Sequence, residues 1–323
     1  MKIRSIKNLA NAHHDSIWAA TWAPATAERG ALLITGSVDE TVKVWKGDEL
    51  ELERTNTGHG LGVVAVAAHP SGNIAASTSL DSFVRVFDVD SNATVATLET
   101  SPSEAWLMQF DPKGEFLAVA GGGSGSIKLW NTSTWLLDTS LEIPKGDTPL
   151  TKPSDKSGPA RFVMAVAWSM DGRRLACSTM SGMVCIFDAQ RRKFLHNLEG
   201  HAMPVRSLAF SPVDPRILFT VSDDKHIHMY DVESRSLISA FSGHASWVVS
   251  VDVSHDGSCL ATGSSDKTVR LWDLKMGSAV QTLTDHSDQV WSVVFRPPGG
   301  DGVRVGRLAS VSDDRSISLY EYT

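Results

Sequence analysis

Cysteine is scarce in this chain of 323 residues: Cys177, Cys185 and Cys259 are the only three. Too few and too scattered for a disulfide framework, they fit a reducing compartment. No basic run dominates, and the formal net charge is −7. Binding to a phosphate backbone runs on clustered Lys and Arg, so nucleic acid is not expected as a direct partner. The opening Met1-Lys2-Ile3-Arg4-Ser5 lacks the apolar core of a signal peptide, and no apolar run approaches membrane-spanning length. No membrane partner is expected, and the nucleus and cytoplasm are the expected locations. Metal-ligand spacing is also lacking. His13-His14 is an isolated pair, and His226 and His228 point the same way along a strand with no third ligand. Gly121–Gly123 with Gly125 suggests a phosphate loop at first sight. Without a following Lys-Ser/Thr and a helix it reads as a turn, so neither cofactor nor metal is expected.

What the chain does have is a repeat. A small hydroxyl stands four residues before an aspartate, and an aromatic stands six residues after it. Five good copies occur: Thr35/Asp39/Trp45, Ser77/Asp81/Phe87, Thr220/Asp224/Tyr230, Thr262/Asp266/Trp272 and Ser310/Asp314/Tyr320. Two weaker copies end at Trp130 and Phe187. Successive aromatics are 42, 43, 57, 43, 42 and 48 residues apart. A period in the low forties with Gly-His and Trp-Asp signals marks a blade of four strands, and seven copies fill the chain. Repeats explain the length better than two unlike domains do. A hydrophobic content of 42% supports a large core. The expected architecture is all-β: a single seven-bladed propeller spanning 1–323, with four antiparallel strands per blade.

Unit 6 displays the plan. An apolar strand follows His244, Asp256-Gly257 makes a turn, and a second strand runs from Cys259 to Thr262. Asp266 opens a tight turn into Thr268–Trp272, and a fourth strand covers Ala279–Leu283. Cys177 and Cys185 fall on the second and third strands of unit 4. Inner strands are nearly continuously apolar, as expected where neighbouring blades cover both faces of a sheet. The seventh unit ends after its third strand. Ile3–Leu9 precedes the first histidine and can supply the fourth, closing the ring so that no sheet edge stays open there. Two insertions break the period. Glu142–Ala160 carries Pro144, Pro149, Pro153 and Pro159 and reads as a flexible loop. Arg296–Gly306 contains Pro297-Pro298-Gly299-Gly300 and lies in the first turn of unit 7. The two emerge on opposite faces of the disc, because successive turns alternate faces.

His13, His59, His201, His244 and His286 precede their aspartates by 22–28 residues. His, Ser and Asp also compose a hydrolase triad. A catalytic constellation occurs once, however, and this one occurs five times. Its chemistry suits a buried relay in which Asp accepts from His, Ser/Thr bridges, and the aromatic N–H or O–H donates. Phe87 cannot donate. Units 3 and 4 depart: Ser124 and Ser181 replace the aspartate, and Ala120 and Cys177 replace the hydroxyl. No catalytic residue and no enzyme activity is expected.

Around the start of the first strands, aligned on Val248, the preceding positions hold Ser16, Gly62, Glu104, Phe162, Pro204, Trp247 and Gln289. The following positions hold Trp18, Val64, Trp106, Met164, Arg206, Val249 and Trp291. Just before the turn aspartates come Val38, Leu80, Asp223, Ser265 and Asp313. Four tryptophans, a Phe, a Met and an Arg thus converge near one mouth of the channel, the composition of an interaction hot spot. Trp18, Trp106, Phe162, Met164, Arg206, Trp247 and Trp291 are the candidate partner-binding residues. Packing between blades is the competing role for Trp18, Trp106 and Trp291. An alternative use of the same face is reading a histone tail or another peptide, with aromatics caging a cation and Glu104 as the acidic member.

The Gly-His and Trp-Asp units mean that the whole chain resembles the WD-repeat propellers. Finer likeness lies in Leu198–Leu208, Gly243–Val248, Asp285–Trp291 and the opening Ala12–Trp18. These segments resemble the WD-repeat subunits shared by the superkiller complex, which feeds mRNA to the cytoplasmic exosome, and the RNA polymerase II-associated factor complex. The latter acts in transcription elongation and histone modification. The Pro-rich insertion and the Arg-Pro-Pro-Gly-Gly loop are similar to the plant group, the vernalization-independence WD-repeat proteins. The resemblance implies a non-enzymatic scaffold, one propeller within a hetero-complex. It also implies partners among the superkiller helicase and tetratricopeptide scaffold and the polymerase-associated factor subunits, gripped by short segments on this face. Fold alone does not give function.

Overall fold

The computed structural model describes residues 3–100, 106–121, 123–144, 161–298 and 306–322. Twenty-eight strands occur among them, in seven sheets of four. In six sheets the strands follow chain order from the inside outward. The seventh is built from Val290–Phe295, Gly306–Ser312, Ile317–Tyr322 and, outermost, Ile3–Leu9. There Ile3 pairs with Tyr322 and Leu9 with Ile317, antiparallel. The N-terminal strand therefore closes the ring of a seven-bladed propeller.

The alternation of burial explains why these residues fold this way. Second strands are closed in on both faces: every residue of Leu32–Ser37 and Cys259–Ser264 is buried. Outer strands such as Glu51–Asn56 are mostly exposed and carry the charge. The core lies between blades rather than inside one. Ala165, Ala167 and Ile186 of blade 4 pack on Val205, Leu208 and Leu218 of blade 5. Burying one such Leu or Ile contributes about 1.5–3 kcal/mol. No blade can complete its own core, so the ring is the unit of stability.

The structure differs from the sequence reading at both insertions and in unit 3: Gly306, read as the end of the second insertion, opens the strand Gly306–Ser312 and pairs with Tyr322. Glu142 is not loop but the last residue of the strand Leu137–Glu142, paired with Ser126. Ile143 is buried, and its amide donates to the Gly125 carbonyl (3.0 Å). Residues 145–160, and with them most of the first insertion, lie outside the described residues. So do 299–305 of the second insertion and Glu104. The third correction concerns unit 3. Leu117 pairs with Trp130 as Leu260 pairs with Trp272, so the position of Thr262 is taken by Val119, not Ala120. One extra residue in the glycine-rich turn shifts the fixed spacing by one.

Candidate functional site

Five turns with a common wiring organise one face of the disc. In blade 1, His13 Nδ1 lies 3.0 Å from Asp39, His13 Nε2 lies 2.7 Å from Thr35 Oγ1, and Trp45 Nε1 donates to Thr35 (2.8 Å). Blade 6 repeats this with His244, Asp266, Thr262 and Trp272 at 2.8, 2.7 and 2.9 Å. In blade 2 His59 bridges Asp81 and Ser77, and Phe87 adds no bond. In blade 7 His286 bridges Asp314 (3.1 Å) and Ser310 (2.7 Å), and the Ser310 and Tyr320 hydroxyls lie 3.3 Å apart. Blade 5 departs. His201 reaches Asp224 and Thr220, but the Tyr230 hydroxyl donates to the Glu199 carbonyl (3.1 Å) and lies 3.0 Å from His228 Nδ1. His228 stacks on His201 with ring centroids 3.8 Å apart and takes the place where Tyr230 would reach Thr220. Trp130 of blade 3 has a buried indole N–H with no acceptor among the described residues, because Val119 stands where the five tetrad blades have a hydroxyl.

Burial pushes the Asp39 carboxyl up. Hydrogen bonds from His13, Thr41 and the His14 amide together outweigh that and hold it well below the usual carboxylate range. Asp266 and Asp314 behave alike. Burial pushes the His13 imidazole down, against the pull of Asp39. The pair is thus a neutral imidazole on a carboxylate. The carboxylate also fixes the turn: Asp39 accepts from the His14 and Thr41 amides (2.9 and 3.0 Å). Those bonds keep the next residue left-handed although it is not glycine, as at Glu40, Ser82, Lys225, Lys267 and Arg315 (φ 65–72°). Blades 3 and 4 lack the aspartate, and there Gly125 and Gly182 occupy the left-handed position (φ 67° and 88°).

The same turns aim the rim residues. In six blades the residue before the turn aspartate or its serine substitute donates its amide to the residue before the first strand, as from Asp223 to Pro204 and from Asp313 to Gln289 (3.0 Å each). The candidate residues therefore share one channel mouth, where they fall into separate groups. Trp18 and Trp291 have ring centroids 5.6 Å apart, and both donate to Asp313 Oδ1, at 3.3 and 2.7 Å. Arg206 binds Asp223 with two hydrogen bonds (2.8 and 2.7 Å) and lies 5.6 Å from the ring centre of Trp247, which is 45% exposed. Trp106 meets Phe162 edge to face at 5.7 Å. Ser265 donates to Gln289 (2.6 Å) between blades 6 and 7. Met164 is buried and offers no surface, which corrects its place among the candidates. The partners Asp223 and Asp313 were missed as acidic members of the site. Their signal was the doubled aspartates Asp223-Asp224 and Asp313-Asp314, which only units 5 and 7 carry.

Repeats, ring and tetrads define the class. The model described as "WD domain, G-beta repeat" matches residues 4–46, 50–88, 93–131, 192–231, 235–273 and 277–321, and the chain belongs to that family. Residues 132–191, which include the first three strands of blade 4, fall between its matches. Residues 151–211 match a model described as the anaphase-promoting complex subunit 4 WD40 domain instead. Among individual proteins, the chain is 65% identical over 323 residues to WD repeat-containing protein VIP3 of Arabidopsis thaliana, covering all of both chains. It is 35% identical over 313 residues to WD repeat-containing protein SL1-17 of Schistosoma mansoni, covering 96% of each. It is 27% identical over 207 residues to meiotic recombination protein rec14 of Schizosaccharomyces pombe, covering 62% of this chain and 63% of that one.

Proposed function

We propose that this chain is a non-enzymatic scaffold subunit that grips linear segments of its partners at the channel mouth ringed by Trp18, Trp291, Arg206 and Trp247. The observation that carries this reading is the Arg206–Asp223–Trp247 group. The two charges neutralise each other, so the guanidinium and the exposed indole form a rigid, weakly hydrated platform. Rigid aromatic and Arg groups are what interface anchors are made of. The likeness to the shared superkiller and polymerase-associated factor subunits, together with 65% identity to VIP3, supports work in transcription elongation and histone modification or in exosome-linked mRNA decay. On this reading the chain works in nucleus and cytoplasm, without direct contact to nucleic acid. Affinity capture with mass spectrometry from a plant extract tests this. The wild-type chain is expected to recover subunits of one or both complexes, and Trp247→Ala to lose them while melting at the same temperature. Full recovery by Trp247→Ala and by an Asp313→Ala variant would move the interface off this face.

The peptide-reader alternative rests on Asp313. It places a carboxylate beside two tilted indoles, the elements that hold a cationic side chain. Titration with lysine- and methyl-lysine-containing histone peptides separates it from the scaffold reading.

A further inference from the structure

Charge is unevenly spread over the face opposite the tetrads, which carries the turn between first and second strands and the turn between third and fourth. In blades 1 and 2 the latter turn is acidic, with Asp48 and Glu49 and with Asp88 and Asp90. In blade 4 the two turns hold Arg173, Arg174, Arg191, Arg192 and Lys193 against Asp171 and Asp188. The turns touch, since the Ala189 amide donates to the Arg173 carbonyl (3.0 Å).

Of these five cations Arg173, Arg191 and Arg192 each face a carboxylate, and among the described residues Arg174 and Lys193 do not. Asp171 is engaged by Ser169 Oγ (2.6 Å) and the Arg173 amide (3.0 Å), and Asp188 by the Arg191 amide (2.8 Å). Their carboxylates stand 3.9 Å from the guanidinium groups of Arg173 and Arg191, side chains that are 71% and 81% exposed. Arg192 turns away, over the Phe116 ring and onto Asp138 (3.0 Å). Arg174, Lys193 and Arg235 form no ion pair among the described residues. Burial first, and then the charges of Arg235 and Arg174, hold the His196 imidazole below its ordinary range. Arg235 belongs to blade 5, whose two turns on this face hold Asp214, Asp231 and Glu233 against Arg216 and Arg235, so the basic excess is confined to blade 4. Met170, 55% exposed, precedes Asp171 in the first of the two blade-4 turns.

We propose that this rim of blade 4 docks a short acidic segment of a protein partner, a stretch of Asp and Glu with an apolar residue for Met170. Arginine forks suit carboxylates in two-point contact. The patch is confined to adjacent turns of one blade, and Asp214, Asp231 and Glu233 on the neighbouring turns of blade 5 bound it with the charge that repels a longer polyanion. Both features favour a short peptide over a nucleic-acid strand. The surface is separate from the channel mouth, and its test is independent of that reading.

Fluorescence anisotropy on the full chain checks it, with a short labelled peptide rich in Glu and Asp around one Leu, and with labelled oligothymidine of equal length. The peptide is expected to bind saturably. Arg173→Glu with Arg191→Glu should weaken it by about tenfold or more, as two exposed attractions turn to repulsions. The milder Arg173→Gln with Arg191→Gln should give a smaller loss in the same direction. Lys46→Glu with Lys275→Glu, the same change of net charge on blades 1 and 6, should leave binding intact. Equal losses in both charge-reversed variants, or no loss in either, would overturn the proposal. So would oligothymidine binding through the same arginines at least as tightly as the peptide, which would make this a phosphate surface.

Discussion

Trp18 and Trp291 donate their indole N–H groups to one and the same oxygen, Asp313 Oδ1, at 3.3 and 2.7 Å. They come from blades 1 and 7, the two between which the ring closes. One carboxylate therefore sets the tilt of both rings and joins first blade to last. Asp313→Ala leaves two half-buried donors unpaired and should cost about 1–2 kcal/mol. Asp313→Asn keeps an acceptor and should cost less. Urea melts followed by indole emission measure both, and the Ala variant should show a red shift as the rings loosen.

The tetrad carboxylates hold turns. Asp39→Ala and Asp266→Ala each strand a buried imidazole and two turn amides, and should destabilise by about 1–3 kcal/mol. Ser181→Ala, in the blade whose turn needs no carboxylate, should stay within about 0.5 kcal/mol of wild type. Calorimetric melts decide. Equal costs at all three positions would mean that the carboxylates do not hold the turns.

Glycine is needed where the carboxylate is missing. A Cβ on Gly182 would sit 2.6 Å from the His201 carbonyl oxygen, at a φ of 88°. Gly182→Ala should therefore cost about 1–3 kcal/mol. Lys267→Gly, at the matching left-handed position of blade 6, relieves local strain while loosening the unfolded chain. Its net effect should be under about 1 kcal/mol.

Acid should weaken the fold through its histidines. Burial lowers the folded-state pKa of His13, His59 and His201, and it lowers that of His228 to about 4. A depressed imidazole favours the neutral form, so its contribution is complete above the unfolded value of about 6.5 and is lost as pH falls toward the folded value. The aspartates, lowered from 3.8, add their loss only in stronger acid. His228→Phe keeps the stack on His201 and removes one titrating group. Its melting temperature should fall less than that of wild type between pH 7 and pH 4.5.

Closure carries the ring. Removing residues 1–10 strips the outer strand from blade 7 and exposes the edge of Ile317–Tyr322. The melting temperature should drop strongly, with self-association through the bared edge. An unchanged melt and a monomeric elution profile would show that the strand is dispensable.

Much of the fold was written in one dimension because a repeat states its period, its turn chemistry and its strand count directly. Seven aromatics at regular spacing gave the blades, and a fourth strand missing at one end matched a spare strand at the other. Five His–Asp pairs 22–28 residues apart lie within single units, so spacing alone could find them. Only the folded chain decided the rest. Val119 replaced Ala120 because an added turn residue slips past any fixed frame. Tyr230 left its tetrad because His228, two residues earlier on the same strand face, lies on His201. The acid between Trp18 and Trp291 was visible as a residue but not as a partner. Asp313 is 295 positions from Trp18 and meets it only when the ring is complete. Local wiring follows from neighbours in sequence, whereas the composition of the mouth is set by which blades closure makes adjacent.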